Sequence, residues 1–109
     1  MDFETYQKLS RKTALYPDVG KNFTYPSLGL AGETGELIEK IKKLIRDKSS
    51  KIDDEFETEV KKEMGDVLWY LTQLATELGI SMNEVAEENV EKLKSRFERG
   101  KISGKGDNR

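Results

Sequence analysis

The sequence predicts an all-α protein, a four-helix bundle completed by oligomerisation, and three observations carry that prediction. Pro occurs only 2 times in 109 residues while Leu, Glu and Lys are abundant, a composition that favours helix over strand. Apolar residues recur at helical spacing in four separate stretches. Hydrophobic residues make up only 35% of the chain and charged residues 37%, which is thin for a core that one short chain must close by itself.

The first helix is expected from about Asp2 to Leu15, with Phe3, Tyr6, Leu9 and Thr13 on one face. Pro17, Asp18 and Gly20 break it, and a loop runs to about Tyr25. The second helix starts near Pro26, a residue suited to a first turn, and runs to about Lys48. Its apolar stripe is Leu30, Leu37, Ile38, Ile41, Leu44 and Ile45, and Lys42, Lys43, Arg46 and Lys48 gather where the helix dipole favours cations. After a short Ser49–Ser50–Lys51 connection, the third helix begins at Asp53 or Asp54 and ends before Gly79. It carries the cleanest stripe: Phe56, Val60, Met64, Val67, Leu68, Leu71, Leu74, Ala75 and Leu78. Ser81 with Glu84 forms a capping box for a fourth helix reaching about Arg99, with Met82, Ala86, Val90, Leu93 and Phe97 as its buried edge. Residues 1–99 thus read as one helical domain, and 100–109 as a polar, glycine-rich tail expected to be mobile.

Two absences narrow the chemistry. Without Cys there is no thiolate nucleophile, disulfide or Cys-based zinc site. Without His, the usual neutral-pH base and transition-metal ligand are missing. Catalysis must then run on carboxylates, Lys, Tyr, hydroxyls or an oxygen-liganded hard ion. A net charge of −2 gives no basic excess for nucleic acid. No apolar run long enough for a membrane span and no signal-peptide pattern at Met1–Asp2–Phe3–Glu4 are visible, so a soluble cytoplasmic protein is expected.

The carboxylates are patterned. Glu33 and Glu36 lie three apart on the second helix, and Glu63 and Asp66 three apart on the third, each pair beside its apolar stripe. In an antiparallel hairpin the pairs can face each other. Four converging carboxylates must take up protons or share a cation, and Mg²⁺ fits, with octahedral oxygen ligation that leaves room for water and phosphate. With 21 acidic residues in the chain, a solvated surface is the competing reading. Gly29, Gly32, Gly35 and Gly65 punctuate these segments. Each costs about 1 kcal/mol in a helix relative to Ala, which points to close approach or room for a ligand, unless Gly29–Gly35 is a loop. On the fourth helix Asn89, Lys92, Arg96 and Arg99 fall along one side, where they suit phosphate oxygens or simply face solvent. Tyr70, one turn after Asp66, can pack on a sugar or base or belong to the core. Trp69 points elsewhere, to core or subunit interface.

Gly32–Glu33–Thr34–Gly35–Glu36–Leu37, Glu63–Met64–Gly65–Asp66–Val67–Leu68–Trp69–Tyr70–Leu71 and Asn89–Val90–Glu91–Lys92–Leu93–Lys94–Ser95–Arg96–Phe97 together resemble the MazG-like nucleoside triphosphate pyrophosphohydrolases. The resemblance covers roughly residues 26–99, and the ending Gly104–Lys105–Gly106–Asp107–Asn108–Arg109 is similar to some short members. It departs at Gly32, where many members carry a further acid.

The resemblance implies an all-α NTP pyrophosphatase bundle, assembled as a homodimer or homotetramer. It also implies Mg²⁺ ligation by Glu33, Glu36, Glu63 and Asp66, with Mn²⁺ as a substitute. The implied reaction converts NTP or dNTP to NMP or dNMP plus pyrophosphate, as in sanitation of the nucleotide pool. On that reading the four acids are catalytic through the metal, while Asn89, Lys92, Arg96 and Tyr70 hold substrate. Neither nucleic acid nor membrane is an expected partner. The alternative of another class is a helical oligomerisation or regulatory module without catalysis. A di-iron carboxylate protein would need Glu-x-x-His motifs that this chain lacks.

Overall fold

The computed structural model describes all 109 residues and holds four helices and no strand. They are α1 (Phe3–Arg11), α2 (Thr24–Lys48), α3 (Asp54–Glu77) and α4 (Met82–Glu98). No helix is long and apolar enough to cross a membrane.

Each boundary has a local cause. Asp2 Oδ1 accepts from the Thr5 N–H at 2.8 Å, and Asp53 Oδ1 from the Phe56 N–H at 2.8 Å. Ser81 Oγ accepts from the Glu84 N–H at 3.3 Å. These are N-cap bonds to otherwise orphaned donors. Asn22 Oδ1 does the same for Tyr25 at the entry to α2. At the C-terminal ends, left-handed Gly79 (φ 70°) and Gly100 (φ 67°) let Ile80 and Lys101 donate back to Ala75 and Arg96. The first helix is shorter than expected. Past Arg11 the bonds tighten to the i→i+3 spacing at Thr13 and Ala14, and the chain turns into Pro17 and left-handed Asp18 (φ 54°). The Gly29–Gly35 stretch is helical throughout, not a loop.

α2 and α3 form the expected antiparallel hairpin. Its register is marked by Gly29 against Tyr70, by a Lys40–Glu59 ion pair at 3.6 Å, and near the turn by Lys48–Asp53 at 3.6 Å. α1 packs on α3 and α4. One side chain ties all three: Gln7 donates to Thr76 Oγ1 (3.0 Å) and to the Ile80 carbonyl (2.9 Å), and accepts from the Met82 N–H (2.9 Å). Behind it Gln73, fully buried, donates to Ser10 Oγ and accepts from Arg11. Much of the chain's own interior is therefore satisfied polar side chains.

The apolar core is correspondingly small. Only Ala14, Tyr16, Leu44, Ala75 and Met82 are buried hydrophobic residues. Val90 and Phe97, expected on a buried edge, are 62% and 76% exposed, and Ile45 of the α2 stripe is 60% exposed. The radius of gyration is 16.9 Å, against about 13 Å for a compact chain of this length. Such a distribution leaves contiguous apolar helix faces without an intramolecular partner. The tail lies on α4 through hydrogen bonds from Lys92, Arg96 and Arg99.

Candidate active site

The hairpin register sets Glu33 and Glu36 of α2 beside Glu63 of α3. One carboxylate oxygen from each lies within 4.8 Å of the others. Asp66 stands close enough for its charge to act on Glu33. The Glu33 carboxyl is held above its ordinary value, first by burial and then by the charges of Glu36, Asp66 and Glu63. No Lys or Arg forms an ion pair with any of these four acids. Glu33 Oε2 and Glu63 Oε2 are buried and have no hydrogen-bond partner.

Buried carboxylate oxygens without donors are costly. An all-oxygen set from two helices, with neighbouring acids and no basic counter-charge, fits a hard divalent cation. The acidic residues therefore suit a metal on chemical grounds: its positive charge would satisfy the two orphaned oxygens and reverse the mutual repulsion.

Two kinds of glycine surround this cluster. A Cβ at Gly29 would collide with the Tyr70 ring, so the absent side chain there lets the ring lie against α2. A Cβ at Gly32, Gly35 or Gly65 would meet nothing within 4 Å. The space beside the acids is open, and these three helical glycines forgo about 1 kcal/mol each of helix propensity. Gly65→Ala is expected to raise the melting temperature of the metal-free protein by several degrees. Gly29→Ala is expected to lower it, because overpacking at about 1–3 kcal/mol outweighs the propensity gain. Thermal denaturation followed by circular dichroism checks both.

Tyr70 links the acids to an aromatic cluster. Its hydroxyl pKa is raised by burial, then by Tyr25 and the nearby Glu33 charge. Tyr16 stacks on Tyr25 at 5.0 Å, and Trp69 meets Tyr70 edge-on at 5.0 Å and Tyr16 at 6.3 Å. Trp69 also donates its indole N–H to Thr13 Oγ1 at 2.9 Å. Tyr6 of α1 lies near Asp66, its pKa raised by burial and by that charge.

The α4 residues are placed differently. Asn89 is exposed, Lys92 is partly exposed and Arg96 is only 4% exposed. Within one chain α4 packs on α1, and no hydrogen bond or ion pair joins Lys92 or Arg96 to the acids. Both cations bind Asp107 instead.

One organising residue escaped the sequence reading. The side chain of Glu77, at the last turn of α3, is fully buried. It accepts from Arg11 at 2.5 Å, Tyr16 at 2.9 Å and the main-chain N–H groups of Gly20 (2.9 Å) and Asn22 (2.6 Å). Burial would raise its pKa, but the Asn22 and Gly20 N–H groups, the Arg11 guanidinium and the Tyr16 hydroxyl prevail and hold it at about 2. This carboxylate pins the loop between α1 and α2 and so fixes Tyr16 and Tyr25. Its one sequence signal is an acid at a helix C-terminus, where the dipole disfavours it.

Residues 24–100 match the model of the MazG nucleotide pyrophosphohydrolase domain. The chain belongs to the MazG nucleotide pyrophosphohydrolase family. All of α2, α3 and α4 fall inside the matched span, while α1 and most of the tail lie outside it. As a MazG-family protein it is matched to a nucleotide substrate class and to a family generally dependent on divalent metal, in keeping with its acidic cluster. Its relatives include the "Gene 37 protein" of Mycobacterium phage L5, 41% identical over 114 residues that cover 100% of both chains. No solved structure matches it.

Proposed function

We propose that this MazG-family chain is a Mg²⁺-dependent pyrophosphohydrolase that converts NTP or dNTP to the monophosphate and pyrophosphate. The observation that supports the reading is the convergence of Glu33 and Glu36 of α2 with Glu63 of α3, two of whose carboxylate oxygens are buried and donorless. Glu33, Glu36, Glu63 and Asp66 would hold the metal. Bound there, Mg²⁺ (or Mn²⁺) supplies charge neutralisation for the triphosphate and acidifies a water.

The remaining work falls to the chain's own groups. Glu33 or Glu36 takes a proton from the attacking water, whose oxygen bonds to the α-phosphorus as the α–β anhydride bond breaks. The electron pair leaves with pyrophosphate. Lys92 and Arg96 steady the leaving charge and Asn89 adds a polar contact. Because α4 lies away from the acids within one chain, these groups meet them in a homodimer or homotetramer, which also covers the apolar faces of α2, α3 and α4. Tyr70 packs against the sugar or base. The expected setting is the cytoplasm, with pool sanitation as the role, acting on free nucleotides rather than nucleic acid or membranes.

A pyrophosphate-release assay across NTPs and dNTPs, with Mg²⁺ and with EDTA, tests this. Release with at least one nucleotide, abolished by EDTA, is the expected result. No release from any nucleotide would overturn it in favour of a non-catalytic helical module.

A further inference from the structure

The tail is built to lie where it does. Left-handed Gly100 turns the chain out of α4, and residues 101–109 fold back. The Arg109 guanidinium braces this loop by donating to the main-chain oxygens of Lys101, Ile102 and Gly106. A Cβ at Gly104 would strike the Arg109 side chain, so glycine there permits the brace. The loop sets Asp107 over the cation row of α4. Its Oδ1 accepts from Lys92 Nζ at 3.0 Å and Arg96 Nη2 at 3.1 Å, and its main-chain oxygen accepts from Arg96 too. Arg99 Nη1 donates to the Arg109 main-chain oxygen at 2.6 Å.

Lys92, Arg96 and Arg99, spaced i, i+4 and i+7 on one helix face, are all engaged by tail oxygens. Arg96 is nearly buried, and all its side-chain hydrogen bonds go to Asp107. Asp107 itself is 79% exposed. A nearly buried guanidinium needs an acceptor, yet the acceptor it has is a solvated carboxylate on a short loop, which an anion of higher charge can replace. We propose that the tail is a displaceable strap: Asp107 occupies the α4 cation row in the free protein, and a linear oligophosphate must expel it to bind there. The inference rests on the reading above that this row receives the triphosphate. It adds that the resting protein restrains its own phosphate grip.

The test uses the intact 109-residue chain without metal and inorganic tripolyphosphate as probe. Calorimetry should show about three- to tenfold tighter binding to Asp107→Asn, the equivalent of releasing solvent-exposed ion pairs. Gly104→Ala, which crowds the Arg109 brace and leaves the α4 cations unaltered, should tighten binding in the same direction. Tripolyphosphate should also speed tryptic cleavage after Lys105 in the unaltered protein, and Lys92→Gln should blunt that response. Unchanged or weaker binding in both tail variants would overturn the strap; weaker binding would make Asp107 a support for Arg96 instead. The two readings fail separately. Tail displacement without nucleotide hydrolysis sinks the enzymatic reading alone, and hydrolysis with tail-independent tripolyphosphate affinity sinks the strap alone.

Discussion

Glu63→Gln is expected to lower pyrophosphate release by about 10³-fold or more, since a lost metal site forfeits several kcal/mol of transition-state stabilisation. The same change should leave helicity intact and raise the stability of the metal-free protein by about 1 kcal/mol. Glu63 Oε2 is a buried oxygen without a donor, and Glu63 repels the ionised Glu33. An amide in its place keeps the shape and removes the charge. Opposite signs on activity and on metal-free stability mark a site strained for function. Mg²⁺ should reverse the order, stabilising the unaltered protein and not the variant. Single-turnover kinetics and thermal melts with and without Mg²⁺ measure both effects.

The largest loss of stability is expected at Glu77. Replacing it by Ala strips the partner from Arg11 and leaves the Tyr16 hydroxyl and the Gly20 and Asn22 N–H groups without their acceptor. The cost should be about 3 kcal/mol, in the range for breaking one side of a buried pair, lowering the melting temperature by roughly 10 °C or more. The pH dependence has a definite sign. Glu77 ionises more readily folded than unfolded, with its pKa lowered from 4.5 to about 2. Its contribution, on the order of 3 kcal/mol, is therefore complete above about pH 4.5 and is lost as pH falls toward 2. In the Ala variant that acid-induced loss should be much reduced. Glu33 acts oppositely. Its raised pKa favours the folded state as pH falls, so the metal-free protein should gain slightly in mild acid before the Glu77 loss dominates.

The helices were legible because their periodicity, caps and stop signals agreed: Asp53, Ser81 and Gly79 each mark a boundary by sequence and by bond. The approach of Glu33 and Glu36 to Glu63 was legible for a related reason. Three-residue spacing within each helix and a short loop between them leave little freedom in how Glu33 and Glu36 approach Glu63. What escaped depended on contacts distant in sequence. Glu77 reaches back 66 residues to Arg11, and no local pattern announces such a partner. The end of the first helix at Arg11 was set by loop geometry rather than by its apolar face. The sequence marks the α2 stripe as apolar and the α4 stripe as a buried edge. They are apolar as expected, but Ile45, Val90 and Phe97 are exposed in one chain, because periodicity reports which face avoids water and not which molecule covers it. The ion pairs of Asp107 with Lys92 and Arg96 likewise join residues that no local pattern in the tail announces.

Mn²⁺ binding to the unaltered protein, Glu36→Gln and Glu63→Gln, followed by calorimetry without nucleotide, tests the shared-ion site most directly. If the two helices grip the same ions, neutralising a carboxylate on either should weaken Mn²⁺ binding by a similar large factor. Full affinity retained by the α3 variant, with loss confined to α2, would contradict it.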